Sequence, residues 1–423
     1  LLSLDRIDRL GFRHRPPPWK TDIITEITTC DWAIERPTDV SNPGTRRAMS
    51  HGEKWAGADP RFWPRCAGEA MGWASLGCPA STGPSTIVGG QQRVCGPAGE
   101  ISVRFGVIGT GRITRRLVAD MQSTDNVEVT AIGSRSLDRA KWCADQYGVA
   151  SAVEGYQSLL ERDDVEAVYI SLPPSLHAHW SIAAAAAGKH ILCEKPLAIS
   201  TRQAIEIAEA CDRHHVRLLD ATAWLHHERT DTFAAWIADG RLGRIGHISA
   251  AVSFYQPFQS NDHRLDLELG GGCILDLGWY TCGLARFVTG RNPRAVWADA
   301  VWRQGVPQRL SAILWFDDDV TATVSCGYDT ATRKWFEVAG STASLICDDF
   351  TRPWADRPAR CWIHDASGKV ESHKFEGSQE RRMIARLASD VPLGAYLTQA
   401  LDTQRILEAI DHSLGSKQRV ELG

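Results

Sequence analysis

From residue 103 onward, short apolar runs alternate with segments in which apolar positions recur every three or four residues. The runs predict buried strands at Val103–Ile108, Val127–Ile132, Val165–Leu172, His190–Cys193 and Val216–Asp220. The intervening segments predict helices over Arg112–Met121, Leu137–Tyr147, Leu176–Ala187 and Thr201–His214. Strict alternation of strands and helices requires right-handed crossover connections, so this half predicts a doubly wound parallel α/β sheet.

Around Ile245 the pattern changes to consecutive strands joined by short turns. These strands are predicted at Ile248–Tyr255, Ala295–Trp302, Ser311–Phe316, Thr321–Cys326, Trp335–Val338 and Ala343–Cys347. One helix, over about Gly272–Val288, interrupts them, and a helical pair near Gln379–Ala388 and Leu397–Leu414 follows. Hairpin-length links favour a mostly antiparallel sheet. We therefore expect a nucleotide-binding domain over residues 103–222 and a second α/β domain over 223–423.

Residues 1–102 differ from the rest of the chain in composition. Ten of the 19 prolines fall here, and no window sustains an apolar period. Such a composition does not readily bury a core, so we expect a disordered or non-native extension. Because the chain begins with Leu, this segment is interpreted either as part of a longer protein or as an upstream stretch translated past the natural start.

Composition narrows the classes of function. A net charge of −4 with both signs interspersed argues against a nucleic-acid partner, and no apolar run approaches the roughly 18 residues that span a membrane. The 12 cysteines form no CxxC pair, which favours reduced thiols and a cytoplasmic location. We expect no metal site, because Cys66, Cys78, Cys95 and His51 lack short ligand spacings.

A glycine turn follows the first predicted strand. In Gly109-Thr-Gly111 the first glycine permits a tight turn, and the second lets the backbone approach a pyrophosphate at the helix N-terminus. We expect Gly109, Gly111, Arg112 and Ile113 to bind a dinucleotide. Thr114 occupies the third small position of the pattern, and we expect it to loosen the packing of helix on strand.

The end of the second predicted strand bears on which dinucleotide binds. NAD enzymes commonly place an acid about twenty residues after the glycine turn, whereas this chain has Ser134 and Arg135. A hydroxyl and a guanidinium suit a 2′-phosphate, so NADP is favoured over NAD. The alternative for Ser134 is that it caps the next helix.

Two further loops leave carboxyl ends of predicted strands, where open α/β sheets bind ligands. In the first, we expect Leu172, Pro173 and His177 to contact cofactor or substrate, with a capping or core role as the alternative for His177.

In the second loop, Glu194-Lys195-Pro196 ends a buried strand in two charges. A buried ammonium needs a partner or a function, and the chain has only nine lysines against 38 arginines. Lys195 is therefore a candidate catalytic residue, and we expect Glu194 and Lys195 to contact the cofactor, unless Glu194 merely neutralises the lysine.

The helix of the second domain opens with Gly270-Gly-Gly-Cys-Ile-Leu-Asp276-Leu-Gly-Trp-Tyr280. Asp276 and Tyr280 are four residues apart and share one helix face, which would present a carboxylate and a phenol together. A core role is the alternative for the tyrosine.

Together, GVIGTGRI, SLPPSLHAHW, AGKHILCEKPLA and GGGCILDLGWY in this order resemble the glucose–fructose oxidoreductase / inositol dehydrogenase / MocA (Gfo/Idh/MocA) family of NAD(P)-dependent oxidoreductases, from Val103 to about Leu422. The resemblance implies an N-terminal Rossmann domain and a C-terminal domain with an open sheet used for dimer or tetramer contacts. It also implies that Lys195, Asp276 and Tyr280 are catalytic. In having tyrosine at position 280, the chain is similar to the xylose dehydrogenase and dihydrodiol dehydrogenase branch of the family.

The resemblance predicts hydride transfer between the nicotinamide and a carbinol carbon of a sugar, polyol or cyclic diol. The alternative is a catalytically inactive dinucleotide- or sugar-binding sensor on the same fold. One segment departs from the family, because Leu225 replaces an arginine and Glu228 a proline. In their place, we expect Trp224 to cover the nicotinamide ring.

Overall fold

In a computed structural model, the structure describes residues 102–354 and 356–422, which contain two β-sheets. The expectation of a disordered extension falls on residues 1–101, outside the described residues. The fold class is confirmed: a parallel doubly wound sheet is followed by a mixed sheet that is mostly antiparallel.

The first sheet has six parallel strands in the order β3-β2-β1-β4-β5-β6. They are β1 (Val103–Ile108), β2 (Val127–Ser134), β3 (Ser151–Glu154), β4 (Ala167–Ile170), β5 (His190–Cys193) and β6 (Leu218–Asp220). The helices between them are α1 (Arg112–Gln122), α2 (Leu137–Tyr147), α3 (Tyr156–Leu160), α4 (His177–Ala186) and α5 (Thr201–Arg213). The order reverses direction beside β1, so the carboxyl ends of β1 and β4 flank the crevice where such sheets bind ligands.

Five of these strands follow from the sequence pattern, and β3 and α3 do not. The four residues of β3 are all partly or fully exposed, so no apolar run marks the strand. Its pairing with β2 is what makes it a strand.

The second sheet has nine strands in the order β14-β13-β12-β11-β7-β10-β9-β8-β15. They are β7 (Ile245–Ser253), β8 (Ala295–Arg303), β9 (Val306–Trp315), β10 (Thr321–Gly327), β11 (Arg333–Gly340), β12 (Ala343–Cys347), β13 (Ala359–Asp365), β14 (Val370–Phe375) and β15 (Val420–Glu421). Within this second sheet, only the β7–β10 pair among the described pairings runs parallel. The polar strand β14 and its partner β13 were not expected from the sequence.

Four helices also belong to the second half of the chain. They are α6 (Glu228–Ala238), α7 (Trp279–Thr289), α8 (Gln379–Ala388) and α9 (Gly394–Ser416), and a π-helical turn at Ile274–Gly278 precedes α7. Helices α7 and α9 pack on each other, and α9 also packs on β8 and on α5 of the first sheet. This packing joins the two halves around the carboxyl edge of the parallel sheet.

Two further observations concern the cysteines and the lengths of the helices among the described residues. The cysteines among them are free thiols, and all are buried. No helix in residues 102–354 or 356–422 is long and apolar enough to cross a bilayer.

Candidate active site

The glycine turn after β1 has the geometry of an anion cradle. Gly109 has φ +109°, and a Cβ there would lie 2.8 Å from the backbone oxygen of Ser171, so only glycine fits. Gly111 is the N-cap of α1, where no side chain caps the backbone and the first turn holds no acid. The exposed side chains of Arg112 and Ile113 flank these free N–H groups. The residues therefore fit a dinucleotide pyrophosphate.

Thr114 does not loosen the packing, contrary to the expectation from the sequence. Its side chain is fully buried, and its hydroxyl lies 2.6 Å from that of Ser171. Ser171 in turn donates to the backbone oxygen of Ile108. These hydrogen bonds tie α1 to the ends of β1 and β4, so the threonine strengthens the turn.

Ser134 and Arg135 lie at the carboxyl end of β2, beside the glycine turn. Ser134 is buried, and its hydroxyl accepts a hydrogen bond from the Ser136 N–H at 3.4 Å. The N-cap of α2 is Ser136, so Ser134 does not cap that helix. Arg135 is exposed and interacts with the Tyr156 hydroxyl; burial raises the pKa of Tyr156, and the guanidinium partly offsets that rise. The structure thus leaves the Arg135 guanidinium accessible at the cleft edge.

The loop after β4 positions Leu172 and Pro173 as half-buried side chains, whereas His177 is fully buried. The His177 ring nitrogens lie 2.8 Å from the Pro196 backbone oxygen and 2.9 Å from that of Leu172. Burial lowers the pKa of His177, which favours the neutral ring. A neutral ring carries one N–H, so it donates to one of these two carbonyls while its other nitrogen only lies near the second. The buried ring therefore lies between the loop after β4 and the loop after β5, and it presents no exposed surface to a ligand.

Lys195, at the carboxyl end of β5, pairs with Asp276 of the π-helical turn. The Lys195 Nζ lies 2.6 Å from Asp276 Oδ1 and 2.7 Å from the Asp276 backbone oxygen. Burial alone would lower the pKa of Lys195, but the Asp276 carboxylate, helped by Tyr280 and Glu194, leaves that pKa above its usual value. Lys195 is thus a cation at neutral pH, with two of its three N–H donors directed at Asp276.

Asp276 has two further partners. The Arg264 Nε donates to its Oδ2 at 2.8 Å, and the Tyr328 hydroxyl lies 3.0 Å from the same oxygen. Although burial opposes ionisation, Lys195 and Arg264 hold the pKa of Asp276 well below its usual range. The carboxylate is therefore a fixed anion and not a proton carrier.

Tyr280 completes the cluster. The Lys195 Nζ lies 4.7 Å from the centroid of its ring. Burial raises the pKa of Tyr280, and the Lys195 ammonium opposes that rise without cancelling it. The phenol is consequently protonated at rest, with a cation beside it that favours loss of the proton.

Glu194 lies beside this cluster, and its Oε2 accepts a hydrogen bond of 3.3 Å from the Lys195 backbone N–H. Its Oε1 accepts a hydrogen bond of 2.6 Å from the buried hydroxyl of Tyr169 on β4. Burial raises the pKa of Glu194. This bond anchors the end of β5 to β4, and so holds the backbone that carries Lys195.

The position of Trp224 differs from the sequence-based expectation that its side chain covers the nicotinamide ring. Its ring is 1% exposed and packs edge-to-face against Phe287 and Phe350, with centroids 5.5 and 5.6 Å away. The Trp224 ring therefore lies in the core and does not form a wall of the cleft. Leu225 is also buried, and Glu228 begins α6.

Arg264 and Tyr328 are site residues that sequence reasoning missed. Arg264 stands in a charged segment, Asp262-His-Arg264-Leu-Asp266, just before the glycines that open the active-site helix. That run of charges beside a buried helix was the available signal. Tyr328, one residue beyond β10, had no local signal, because its contact with Asp276 spans 52 positions.

Comparison with known proteins places these features in a family. Residues 103–221 match the Gfo/Idh/MocA "Oxidoreductase family, NAD-binding Rossmann fold", and residues 230–346 match the "GFO/IDH/MocA C-terminal domain". An uncharacterized oxidoreductase of Rhizobium meliloti is 32% identical over 325 residues, which cover 74% of this chain and 96% of that protein.

Two characterised relatives are similar over most of their length. A D-xylose 1-dehydrogenase (NADP(+)) of Haloferax volcanii is 31% identical, over 75% of this chain and 99% of that protein. The crystal structure of a 3-ketoreductase from Actinomadura kijaniata, in complex with NADP and TDP-benzene, superposes with a TM-score of 0.68 at 30% identity. That match covers 74% of this chain and 98% of the other.

Proposed function

Since this chain belongs to the Gfo/Idh/MocA family of NAD(P)-dependent oxidoreductases, we propose that Lys195, Tyr280 and Asp276 are the residues with which it oxidises a carbinol carbon or reduces the matching carbonyl. The observation that carries this proposal is the convergence of all three side chains at the carboxyl end of β5. The cofactor, NADP or NAD, accepts or gives the hydride at its nicotinamide ring when bound.

Lys195 would hold the substrate oxygen. Two of its donors are fixed on Asp276, and the remaining N–H is available to the reacting oxygen or to Tyr280. A cation held rigidly in a buried site stabilises negative charge as it develops on that oxygen. Asp276, clamped by Arg264 and Tyr328, keeps the ammonium in place.

Tyr280 would move the proton. In the reductive direction the protonated phenol donates to the developing alkoxide. In the oxidative direction the phenol first releases its own proton to solvent, a loss that the Lys195 charge favours. The resulting phenolate then accepts the hydroxyl proton of the substrate as the hydride leaves. His177, whose nitrogens face two loop carbonyls, would act by positioning the loops and not by contact.

For the cofactor, we propose that residues 103–222 form its domain, with Gly109, Gly111, Arg112 and Ile113 at the pyrophosphate. Ser134 and Arg135 would receive a 2′-phosphate, because an exposed guanidinium binds phosphate in bidentate fashion. Leu172, Pro173 and Glu194 would complete the nicotinamide side. A cytoplasmic location, where this cofactor is supplied, is consistent with the free buried cysteines.

For the substrate, we propose a sugar-like carbinol in a site shared with residues 223–423. Of the relatives named above, one is a D-xylose 1-dehydrogenase and another is a 3-ketoreductase. The inactive-sensor alternative has no support, because the charged and phenolic groups that a catalyst needs are present and brought together.

The test is a panel of aldoses, polyols, inositols and cyclic diols with NADP, monitored by absorbance of the reduced nicotinamide. At least one class should be oxidised, and its activity should disappear with Tyr280→Phe. Tight NADP binding without turnover of any member would contradict an enzymatic role and restore the sensor.

We also propose that the chain forms a homodimer or homotetramer through the uncovered face of its second sheet. Trp297, 40% exposed, and Val301, 36% exposed, point outward from β8, and Trp297 pairs with Ile313 of β9 on the same face. A second copy packed on this face would bury these side chains. Light scattering should give a multiple of the 46.6 kDa chain, reduced to one chain by Trp297→Glu.

A further inference from the structure

A chain of buried hydrogen bonds joins the end of β6 to the first residue of α7. The Trp279 indole N–H donates to the Thr222 hydroxyl at 2.7 Å, and that hydroxyl donates to the Asp220 carboxyl. All three residues are buried. Water does not compete for these groups, so each of them depends on its partner in the chain.

The chemistry of the three groups fixes the direction of the chain. An indole nitrogen can only donate, so the Thr222 oxygen must accept from Trp279. The single hydroxyl hydrogen of Thr222 is then directed to Asp220, which accepts it. A hydroxyl at position 222 meets both requirements, whereas an apolar side chain of the same shape meets neither.

The chain ends beside the phenol of the catalytic cluster. Tyr280 follows Trp279 directly in the first turn of α7, and the centroid of its ring lies 4.7 Å from the Lys195 Nζ. The Trp279 indole is therefore an anchor for the stretch of backbone that carries the phenol. A shift of the indole would move the phenol with it.

Two tethers hold the start of α7 to neighbouring strands of the parallel sheet. The first is the contact of Asp276 with Lys195, just beyond the end of β5. The second is the chain from Trp279 to Asp220, the last residue of β6. Because β5 and β6 are hydrogen-bonded neighbours, both tethers position the phenol of Tyr280 relative to one sheet edge.

The later turns of α7 are held by a different element. The Gly283 backbone oxygen accepts a hydrogen bond of 2.8 Å from Gln399 of α9, and Arg286 pairs with Asp402 of the same helix. These bonds join α7 to α9, whereas the bond at its first residue joins it to the parallel sheet. The two ends of α7 are thus fixed by independent contacts.

Resting on the proposed function, we propose that Thr222 is a positioning residue, whose hydroxyl holds the start of α7 so that the Tyr280 phenol meets the substrate oxygen bound at Lys195. Thr222 acts through Trp279 and does not touch the reacting atoms. Catalytic groups need to be held within about 0.5 Å of their productive geometry, so the rate depends steeply on such an anchor. Loss of the hydroxyl leaves a buried indole N–H without its partner, and the helix start is expected to shift to satisfy it.

The test compares Thr222→Val, which keeps the shape of the side chain, with Thr222→Ser, which keeps the hydroxyl. With NADP and a substrate from the panel above, we expect Thr222→Val to lower kcat about 10- to 100-fold, because a misplacement of about 1 Å can cost that factor. The KM and the Kd for NADP should not change, since the interaction that is lost acts in the transition state. Thr222→Ser should retain most of the wild-type kcat.

Trp279→Phe removes the donor and keeps an aromatic ring, so it should lower kcat in the same way. The double variant Thr222→Val/Trp279→Phe should lose no more than either single variant, because both substitutions break one chain. If Thr222→Val does not fold, Trp279→Phe carries the same test.

Thr230→Val is the matched control. Thr230 is also buried, and its hydroxyl donates to the Trp224 backbone oxygen at 2.6 Å, outside this chain. The control should lose stability without losing kcat. Unchanged kcat in Thr222→Val, a fall that serine does not rescue, or an equal fall in Thr230→Val would overturn the positioning role.

If the wild type turns over no substrate, the proposed function fails, and crystal structures of the NADP-loaded variants still decide about Thr222. The distance from the Lys195 Nζ to the centroid of the Tyr280 ring, 4.7 Å in the wild type, should change by about 0.5 Å or more in Thr222→Val. It should stay constant in Thr222→Ser and Thr230→Val. A constant distance in Thr222→Val would refute the positioning role.

Discussion

The Lys195 ammonium lies 2.6 Å from the Asp276 carboxylate, although the two residues are 81 positions apart. Lys195 belongs to the half of the chain that forms the first sheet, and Asp276 to the half that forms the second. Lys195 ends a strand of the parallel sheet, and Asp276 sits in the π-helical turn before α7. The pair therefore forms only when both halves of the chain are folded and packed together. Each consequence of this arrangement can be measured.

Replacing Lys195 with Met should lower kcat by at least about 10²-fold, because a fixed cation at the developing oxyanion is lost. The Kd for NADP should change little, since the pyrophosphate cradle at Gly109 is untouched. Asp276 keeps Arg264 as a partner, so the variant should still fold. Steady-state kinetics and dinucleotide titration give the two quantities. Lys374→Met, on exposed β14, is the control; unchanged turnover in Lys195→Met would refute the assignment.

Tyr328→Phe tests whether the clamp on Asp276 matters for the chemistry. The variant removes a hydroxyl that lies 3.0 Å from both Asp276 Oδ2 and the Gly272 backbone oxygen. We expect kcat to fall about tenfold or more with KM unchanged, because a hydrogen bond to a charged group contributes about 1.5–3 kcal/mol. The aromatic packing on Phe258 is retained in this variant. A rise in KM with unchanged kcat would instead place Tyr328 in substrate binding.

Arg135→Ala should weaken NADP far more than NAD. The exposed guanidinium is the group placed to pair with a 2′-phosphate, which NAD lacks. We expect about a tenfold to hundredfold rise in Kd for NADP and less than threefold for NAD, measured by fluorescence of the bound reduced cofactors. Arg139→Ala, an exposed arginine on α2, serves as the matched control. Equal weakening of both cofactors would contradict the 2′-phosphate assignment.

Asp220→Asn should change how stability depends on pH. Burial raises the pKa of Asp220 from 3.8 to about 6, and the carboxyl accepts a hydrogen bond from Thr222. Between these values the folded protein retains a proton that the unfolded chain releases. The contribution of this group to stability is therefore complete below pH 3.8 and is lost as the pH rises to about 6.

Asparagine does not ionise, so the free energy of unfolding of Asp220→Asn relative to the wild type should rise between pH 4 and pH 6.5. The rise has an upper limit of about 3 kcal/mol, from 1.36 kcal/mol per pKa unit. Urea unfolding at several pH values measures it, and the comparison cancels the other titrating groups. A difference that is constant across this range would show that Asp220 has an ordinary pKa.

The local pattern predicted much of the fold. The bounds of β1, α2, β5, β12 and α8 agree with the structure at both ends. Strands β1 and β5 are continuous apolar runs that are buried on both faces, and α2, β12 and α8 each have one clearly buried side that the apolar period reports. Strands β3 and β14 were not predicted because none of their residues is fully buried, and pairing alone makes them strands.

The residues of the candidate site were likewise predictable where their role depends on local sequence. Gly109 could be predicted because a tight turn between strand and helix needs its positive φ, which is a local requirement. The loop position of Lys195 and the spacing of Asp276 and Tyr280 are also local. The chain by itself therefore determined the type of fold, the dinucleotide cradle and the three residues proposed for catalysis.

Only the tertiary structure decided what surrounds those residues. It placed Trp224 in the core, closed Thr114 onto Ser171, and set Arg264 and Tyr328 on Asp276. These contacts depend on how separate elements pack, within each half of the chain as well as between the halves, and no short window of sequence encodes that packing. Burial, and with it the pKa of each group, belongs to the assembled molecule, because solvent is excluded only once both halves are in place.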